Sequence, residues 1–209
     1  IGWALKNWPQ LHEAGEHLAV GTIESYLVYR LTGGRAHVSD ASNASRTALM
    51  AIGSGDWDDG LLSLFGVPRS ILPEICDSAG QLGMTDASLF GAPIAITGMA
   101  GDQQAALIGQ SCLEPGQTKA TFGTGAFVLT QTGRTLPKST NRLLATVAWQ
   151  LGGERHYALE GSVFVAGSLI QWLRDDLGLI DASPDTEPLA RSVVWLMAGA
   201  WRSEPWPTA

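Results

Sequence analysis

The stretch from Pro93 to Gln110 constrains the fold more than any other. Residues 93–97 form an apolar run with the length and character of a buried strand. The run ends in Gly98-Met99-Ala100-Gly101, whose two glycines let the backbone turn sharply or approach a ligand closely. Asp102 comes next, followed by Gln103-Gln104-Ala105-Ala106-Leu107-Ile108-Gly109, a helix-forming run. A strand feeding directly into a helix is an α/β element. Local pattern leaves two readings of Asp102 open. Its carboxylate can cap the helix N-terminus, or it can face a ligand at the carboxyl end of a strand, where open α/β sheets bind.

Composition narrows the partners. A formal net charge of −7 over 209 residues argues against nucleic acid and against an anionic membrane surface. Hydrophobic residues at 45% supply a core, and no apolar run reaches the roughly 18 residues of a membrane helix. With no basic-then-apolar leader, a cytoplasmic location is expected. Cys76 and Cys112 are expected as reduced, buried thiols. The chain begins with Ile1, which is read as a trimmed end or as a piece of a longer protein.

Along the first half, Trp3, Leu5 and Trp8 precede Pro9 as the end of an amphipathic helix. Thr22 is the expected cap of a helix carrying Ile23, Tyr26, Leu27, Arg30 and Leu31, closed by Gly33-Gly34. Residues 35–40 alternate like a short exposed strand, with His37 at the surface. Residues 40–47 read as a loop of small hydrogen-bonding side chains, able to bind a polyol or to satisfy its own backbone. Asp56-Trp57-Asp58-Asp59 is expected to open a helix burying Leu61, Leu62, Leu64 and Phe65. Residues 76–92 read as a connecting segment.

Beyond Gly109 the character changes. Glu114-Pro115-Gly116 is a turn, and the boundary between two domains is expected near it, giving 1–113 and 114–209. Residues 118–122 and 126–130 read as strands joined by Gly123-Thr124-Gly125. Such a turn offers converging N–H groups and one hydroxyl to a phosphate, and it serves equally as an ordinary hairpin. Residues 144–149 and 156–159 make two more strands around Gly152-Gly153. A long amphipathic helix is expected from Val163 to Leu177, closed by Gly178. Gly167 and Gln171 share one face of it. A mid-helix glycine costs about 1 kcal/mol relative to alanine, so something is expected to approach the backbone at Gly167.

Four motifs in order carry a resemblance: Asn43-Ala44-Ser45-Arg46-Thr47, then residues 98–110 (GMAGDQQAALIGQ), 122–127 (FGTGAF) and 158–175 (ALEGSVFVAGSLIQWLRD). Together they resemble the FGGY carbohydrate kinases, and the Asp-Gln-Gln run is similar to the branch that phosphorylates glycerol rather than to the xylulokinases. The resemblance covers about residues 21–180. It implies an actin-like, ribonuclease-H-like ATPase fold, present here as the end of a first domain and the start of a second, with ATP and substrate meeting in a cleft. It implies ATP-dependent phosphorylation of glycerol to glycerol 3-phosphate, with ATP and Mg2+ as cofactors and a homo-oligomer in the full-length enzyme.

On that resemblance Asp102 is the general base that takes the hydroxyl proton and also contacts substrate. Gln103 hydrogen-bonds the substrate and Phe127 packs on its carbon backbone. Thr124 reaches the nucleotide phosphates, and Gly167 and Gln171 form part of the nucleotide site. No residue of the chain is assigned to a metal. Asp40-Ala41-Ser42 departs from the aromatic-containing loop usual in the glycerol branch. The first phosphate hairpin and the adenosine loop of the family have no match here, so the isolated segment is expected to be inactive. Kinase activity on another polyol or sugar, or a non-catalytic binding role, are the alternatives. The stretch from Met197 to Pro207 departs from the family pattern and reads as a frameshift or artefact.

Overall fold

The structure is a computed structural model, and it describes residues 1–192; the tail reading at Met197 to Pro207 lies outside the described residues. The chain divides into two compact units. One comprises residues 1–119 with 128–161; the other comprises 120–127 with the segment that starts at Ser162.

The first unit opens with helices α1 (Gly2–Asn7) and α2 (Pro9–Glu13), Pro9 standing at the first position of the second helix, where its missing N–H costs nothing. Helix α3 (Ile23–Leu31) follows. Thr22 precedes it, but its hydroxyl donates to Glu24 Oε1 and makes no cap hydrogen bond, so the expected side-chain cap is not formed. The buried face of α3 is Ser25 and Val28, whereas Ile23, Tyr26 and Leu27 are exposed.

Strand β1 (Val38–Asp40) pairs parallel with β4 (Glu74–Cys76), Val38 opposite Glu74. The expected exposed strand is therefore buried: Ser39 and Asp40 are closed off because a parallel partner lies on one side and a helix on the other. His37, expected at the surface, is half-buried and its Nε2 lies 3.1 Å from the Val20 carbonyl oxygen. The expected loop at 40–47 opens as helix α4 (Ala41–Ala44), because Asp40 accepts from the amides of Ser42 and Asn43 at 3.0 and 3.1 Å.

Strands β2 (Met50–Ala51) and β3 (Asp56–Trp57) form a short antiparallel pair. Asp56-Trp57 thus belongs to a strand, and the helix α5 (Asp59–Phe65) starts one turn later, capped by Asp58. Of the expected buried stripe only Leu62 is enclosed; Leu64 and Phe65 face out. A 3-10 turn at Arg69–Ile71 leads into β4. The supposed connecting segment contains β5 (Ala79–Met84) and helix α6 (Ala87–Phe90). Its glycines hid a strand that is held by antiparallel pairing with β6 (Ala95–Gly98). That strand, expected to be buried, is largely exposed, with Ile96 alone partly covered.

Helix α7 (Asp102–Gly109) is followed by a four-stranded sheet of β7 (Thr118–Phe122), β8 (Ala126–Gly133), β9 (Leu144–Leu151) and β10 (Glu154–Val163), in the order β7-β8-β10-β9. Gly152 and Gly153 both take positive φ, the conformation a two-residue antiparallel turn requires. Three apolar clusters hold the first unit. One gathers Ala41, Ala44, Leu49, Trp57, Leu62 and Val147; a second gathers Leu107, Leu129, Ala148 and Trp149; a third gathers Val28, Leu82 and Met99.

In the second unit the long helix expected from Val163 begins later. Strand β10 extends to Val163, and α8 runs Gly167–Asp175. The β-branched and aromatic run Val163-Phe164-Val165 suits extended backbone as well as helical spacing; Val163 closes β10, and Phe164 and Val165 link it to α8. None of the residues of α8 is buried, and Phe164 is 81% exposed.

Candidate active site

The first unit presents Asp102 and Gln103 on the opening turn of α7. Gly101 is the N-cap, with φ −59° and ψ 150°, and Asp102 is the first helical residue. The reading of Asp102 as cap is thereby corrected by one position. The amide of Gly101 donates to Ser42 Oγ at 2.9 Å, and a Cβ at Gly101 would stand 2.5 Å from Gln104 Oε1, so a side chain at this cap position would require the Gln104 amide to shift. The Asp102 carboxylate is exposed and accepts from the Gln103 amide at 2.7 Å, which leaves most of its acceptor capacity open. Its charge lies at the positive end of the helix dipole.

The two glutamines divide their labour. Gln104 is buried, its Nε2 reaching Thr146 Oγ1 and the Val147 carbonyl at 3.4 Å each, and it fastens α7 to β9. Gln103 is half-buried, and its Oε1 accepts from the ammonium of Lys119.

Lys119 was not among the residues singled out from the sequence. It is 1% exposed, between two exposed neighbours on β7; a lysine at an inward register of a period-two strand was the available signal. Burial weakens its hold on the proton, and the carboxylates of Glu160 and Asp102 work in the opposite direction. Glu160, also buried, pairs with Arg46 at 3.0 Å. Arg46 belongs to the Asn43–Thr47 motif, and its neighbour Ser45 lies 3.1 Å from Thr146 Oγ1. That motif is therefore engaged in joining α4 to β9 and β10.

The second unit presents Thr124, Phe127, Gly167 and Gln171. The turn Gly123-Thr124-Gly125 closes on itself through Gly123 N donating to Gly125 O at 2.8 Å. Its carbonyls face the start of α8. Gly123 O accepts from Gly167 N at 2.8 Å, while Thr124 O accepts from Ala166 N, Ser168 N and Ser168 Oγ at 2.8, 3.2 and 3.1 Å. A Cβ at Gly167 would come 2.4 Å from Gly123 O, and one at Gly125 would come 2.5 Å from Val163 O. The approach expected at Gly167 is thus made by the turn itself, and Gly167 sits at the first position of α8 rather than in mid-helix. Among the described residues the Thr124 hydroxyl has no intramolecular partner, and it is exposed at the tip of the turn. Gln171 is exposed one turn along α8, and Phe127 is half-buried on β8.

A turn ending in an unengaged hydroxyl fits a phosphate oxygen. Among the described residues no group of three or more His, Cys, Asp or Glu is placed to hold a metal ion.

The fold is that of the actin-like ATPases. Over 91% of this chain it superposes on a Plasmodium falciparum glycerol kinase solved with ADP, at a TM-score of 0.84 and 34% identity, covering 39% of that chain. A xylulose kinase from Rhodospirillum rubrum shares the fold at a TM-score of 0.73 and 24% identity, over 88% of this chain and 38% of its own. In sequence, residues 1–109 match the N-terminal domain of the FGGY family of carbohydrate kinases and residues 118–204 match its C-terminal domain. The chain belongs to the FGGY family of carbohydrate kinases. It is 58% identical to a glycerol kinase of Methylobacterium nodulans over 193 residues, which is 91% of this chain and 38% of that relative. It thus spans little more than a third of the relatives it matches. No helix among the described residues is long and apolar enough to cross a membrane.

Proposed function

We propose that the chain is part of an ATP-dependent kinase that phosphorylates glycerol. The observation that carries this reading is the Asp102 carboxylate, exposed on the first turn of α7 with one hydrogen bond of its own and Gln103 beside it. As a hydroxyl oxygen of glycerol bonds to the γ-phosphorus of ATP, the bond from that phosphorus to the bridging oxygen breaks and ADP leaves. Asp102 takes the hydroxyl proton. Phosphoryl transfer asks mainly for positioning and charge stabilisation, and the Gln103 amide supplies the first, with Phe127 packing on the carbon chain. Thr124 binds phosphate oxygens; Gly167 and Gln171 line the nucleotide side, and magnesium enters with ATP.

The proposed domain division is 1–113 and 114–209, supported by the turn at Glu114–Gly116 that falls between the two family matches. A cytoplasmic homo-oligomer is the proposed working state of the whole enzyme. Asp40 and Ser42 are fully buried and hydrogen-bonded within the first unit, so both side chains serve packing there.

The test is turnover with ATP and glycerol by the product of the complete reading frame. Asp102→Asn is expected to lower turnover about 10²–10⁴-fold, the usual size of a general-base contribution, with glycerol affinity far less changed. Near-normal turnover in Asp102→Asn would end the general-base assignment.

A further inference from the structure

Lys119 extends the kinase reading above and rests on it. Ammonium groups only donate hydrogen bonds, so the atom of the Gln103 amide turned toward Lys119 has to be the oxygen, and Nζ donates to Oε1. The other end of the amide, Nε2, is then fixed as a donor. The adjoining carboxylate of Asp102 is an acceptor. A hydroxyl satisfies both, accepting from Nε2 and donating to Asp102, whereas a carbonyl oxygen has no proton to give.

We propose that Lys119 is a positioning residue that sets the polarity of the substrate subsite: by holding Oε1 of Gln103 it leaves Nε2 to donate to the hydroxyl whose proton Asp102 accepts. The ammonium is suited to this because it is buried on β7, between the Gln103 amide and the field of Glu160, itself paired with Arg46 at 3.0 Å. Without it the amide has no reason to prefer one of its two orientations, and a flipped amide would set its oxygen against the hydroxyl oxygen.

The experiment uses the enzyme expressed from the complete reading frame, with ATP and glycerol. Lys119→Met is expected to raise KM for glycerol about 5–10-fold, the size of one hydrogen bond, and to change kcat about twofold or less, because a binding contact rather than the proton transfer is affected. Gln103→Ala is expected to do the same. Combining the two should add little to either, since each removes one and the same contact. Gln103→Glu keeps a partner for Lys119 while losing the donor, so it is expected to raise KM as Gln103→Ala does, and it serves where Lys119→Met does not fold. Multiplicative KM effects in the double variant, or a wild-type KM in Gln103→Glu, would overturn the inference and leave the kinase reading intact. A wild-type enzyme that turns over neither glycerol nor another polyol would overturn both.

Discussion

Asp40 and Asp102 stand at the same kind of junction, each where a strand gives way to a helix, β1 to α4 and β6 to α7. Asp40 is fully buried and accepts from Ser42 N, Asn43 N, Asn43 Nδ2 and Ser78 Oγ, all within 3.1 Å. Asp102 is exposed and accepts from Gln103 N. The difference comes from the residue before each helix. At α4 the aspartate itself is the cap, and its oxygens are spent on the helix and on Ser78. At α7 Gly101 is the cap, its amide tied to Ser42, and the aspartate is moved one position on, out of the network. A single step along the chain separates a carboxylate that holds structure from one with acceptor capacity to offer a reactant.

The largest effect that sharpens this contrast is in stability. Asp40→Ala orphans several donors in a closed site, two of them backbone amides of α4, and is expected to cost about 3 kcal/mol; Asp102→Ala, at an exposed carboxylate, is expected to cost about 0.5 kcal/mol or less. Urea unfolding of both variants beside the parent reads the two values, and equal losses would break the comparison.

A smaller effect is expected at the turn of the second unit. Gly167→Ala places a methyl group 2.4 Å from Gly123 O, and relief of that clash is expected to cost about 2 kcal/mol, as overpacking does. Thermal unfolding of the Gly167→Ala protein measures it, and an unchanged midpoint would mean that the turn does not press on α8.

The smallest effect is a pH dependence beneath Asp40. Burial first, then the charges of Asp40, Asp77 and Glu74, push the Cys76 thiol up to about 11 from its ordinary 9.0. The protonated thiol donates to Ser39 O at 3.3 Å. Because the folded state keeps this proton longer than the unfolded one, the contribution is fully present below pH 9 and is lost as pH rises toward 11. For a half-buried group this is about 1–2 kcal/mol. Cys76→Ala is expected to flatten that part of the stability curve, seen by comparing unfolding midpoints at pH 8 and 10.5.

Sequence patterns reached some of these features and missed others for physical reasons. The strand–turn–helix unit around Gly98–Gly101, the hairpin through Gly152-Gly153 and the strands flanking Gly123–Gly125 were legible, because glycine punctuation and alternating apolar residues act locally. The helix start at Gly167 was not, since Val163-Phe164-Val165 satisfies both periods, and the strand runs on to Val163. Strand β5 was hidden by Gly80 and Gly83, which remove the side chains that make alternation visible. Of the candidate site, type and spacing pointed to Asp102 and to Thr124, each with a purely structural alternative, whereas Gln103 rested on the family resemblance. Lys119 escaped because a charge in a strand reads as solvent-facing until its neighbours are known to face out, and Glu160 because Glu160-Gly161-Ser162 reads as the start of a helix rather than as part of β10.

The bonds from Gly123 O and Thr124 O to residues 166–168 carry a mechanical consequence. Four donors converge on two successive carbonyls, so the peptide planes of the turn cannot rotate without unwinding the first turn of α8. The turn and the helix start therefore behave as one lever with no hinge between them. A displacement at the tip of Thr124 therefore strains the start of α8, and the helix in turn restrains that tip.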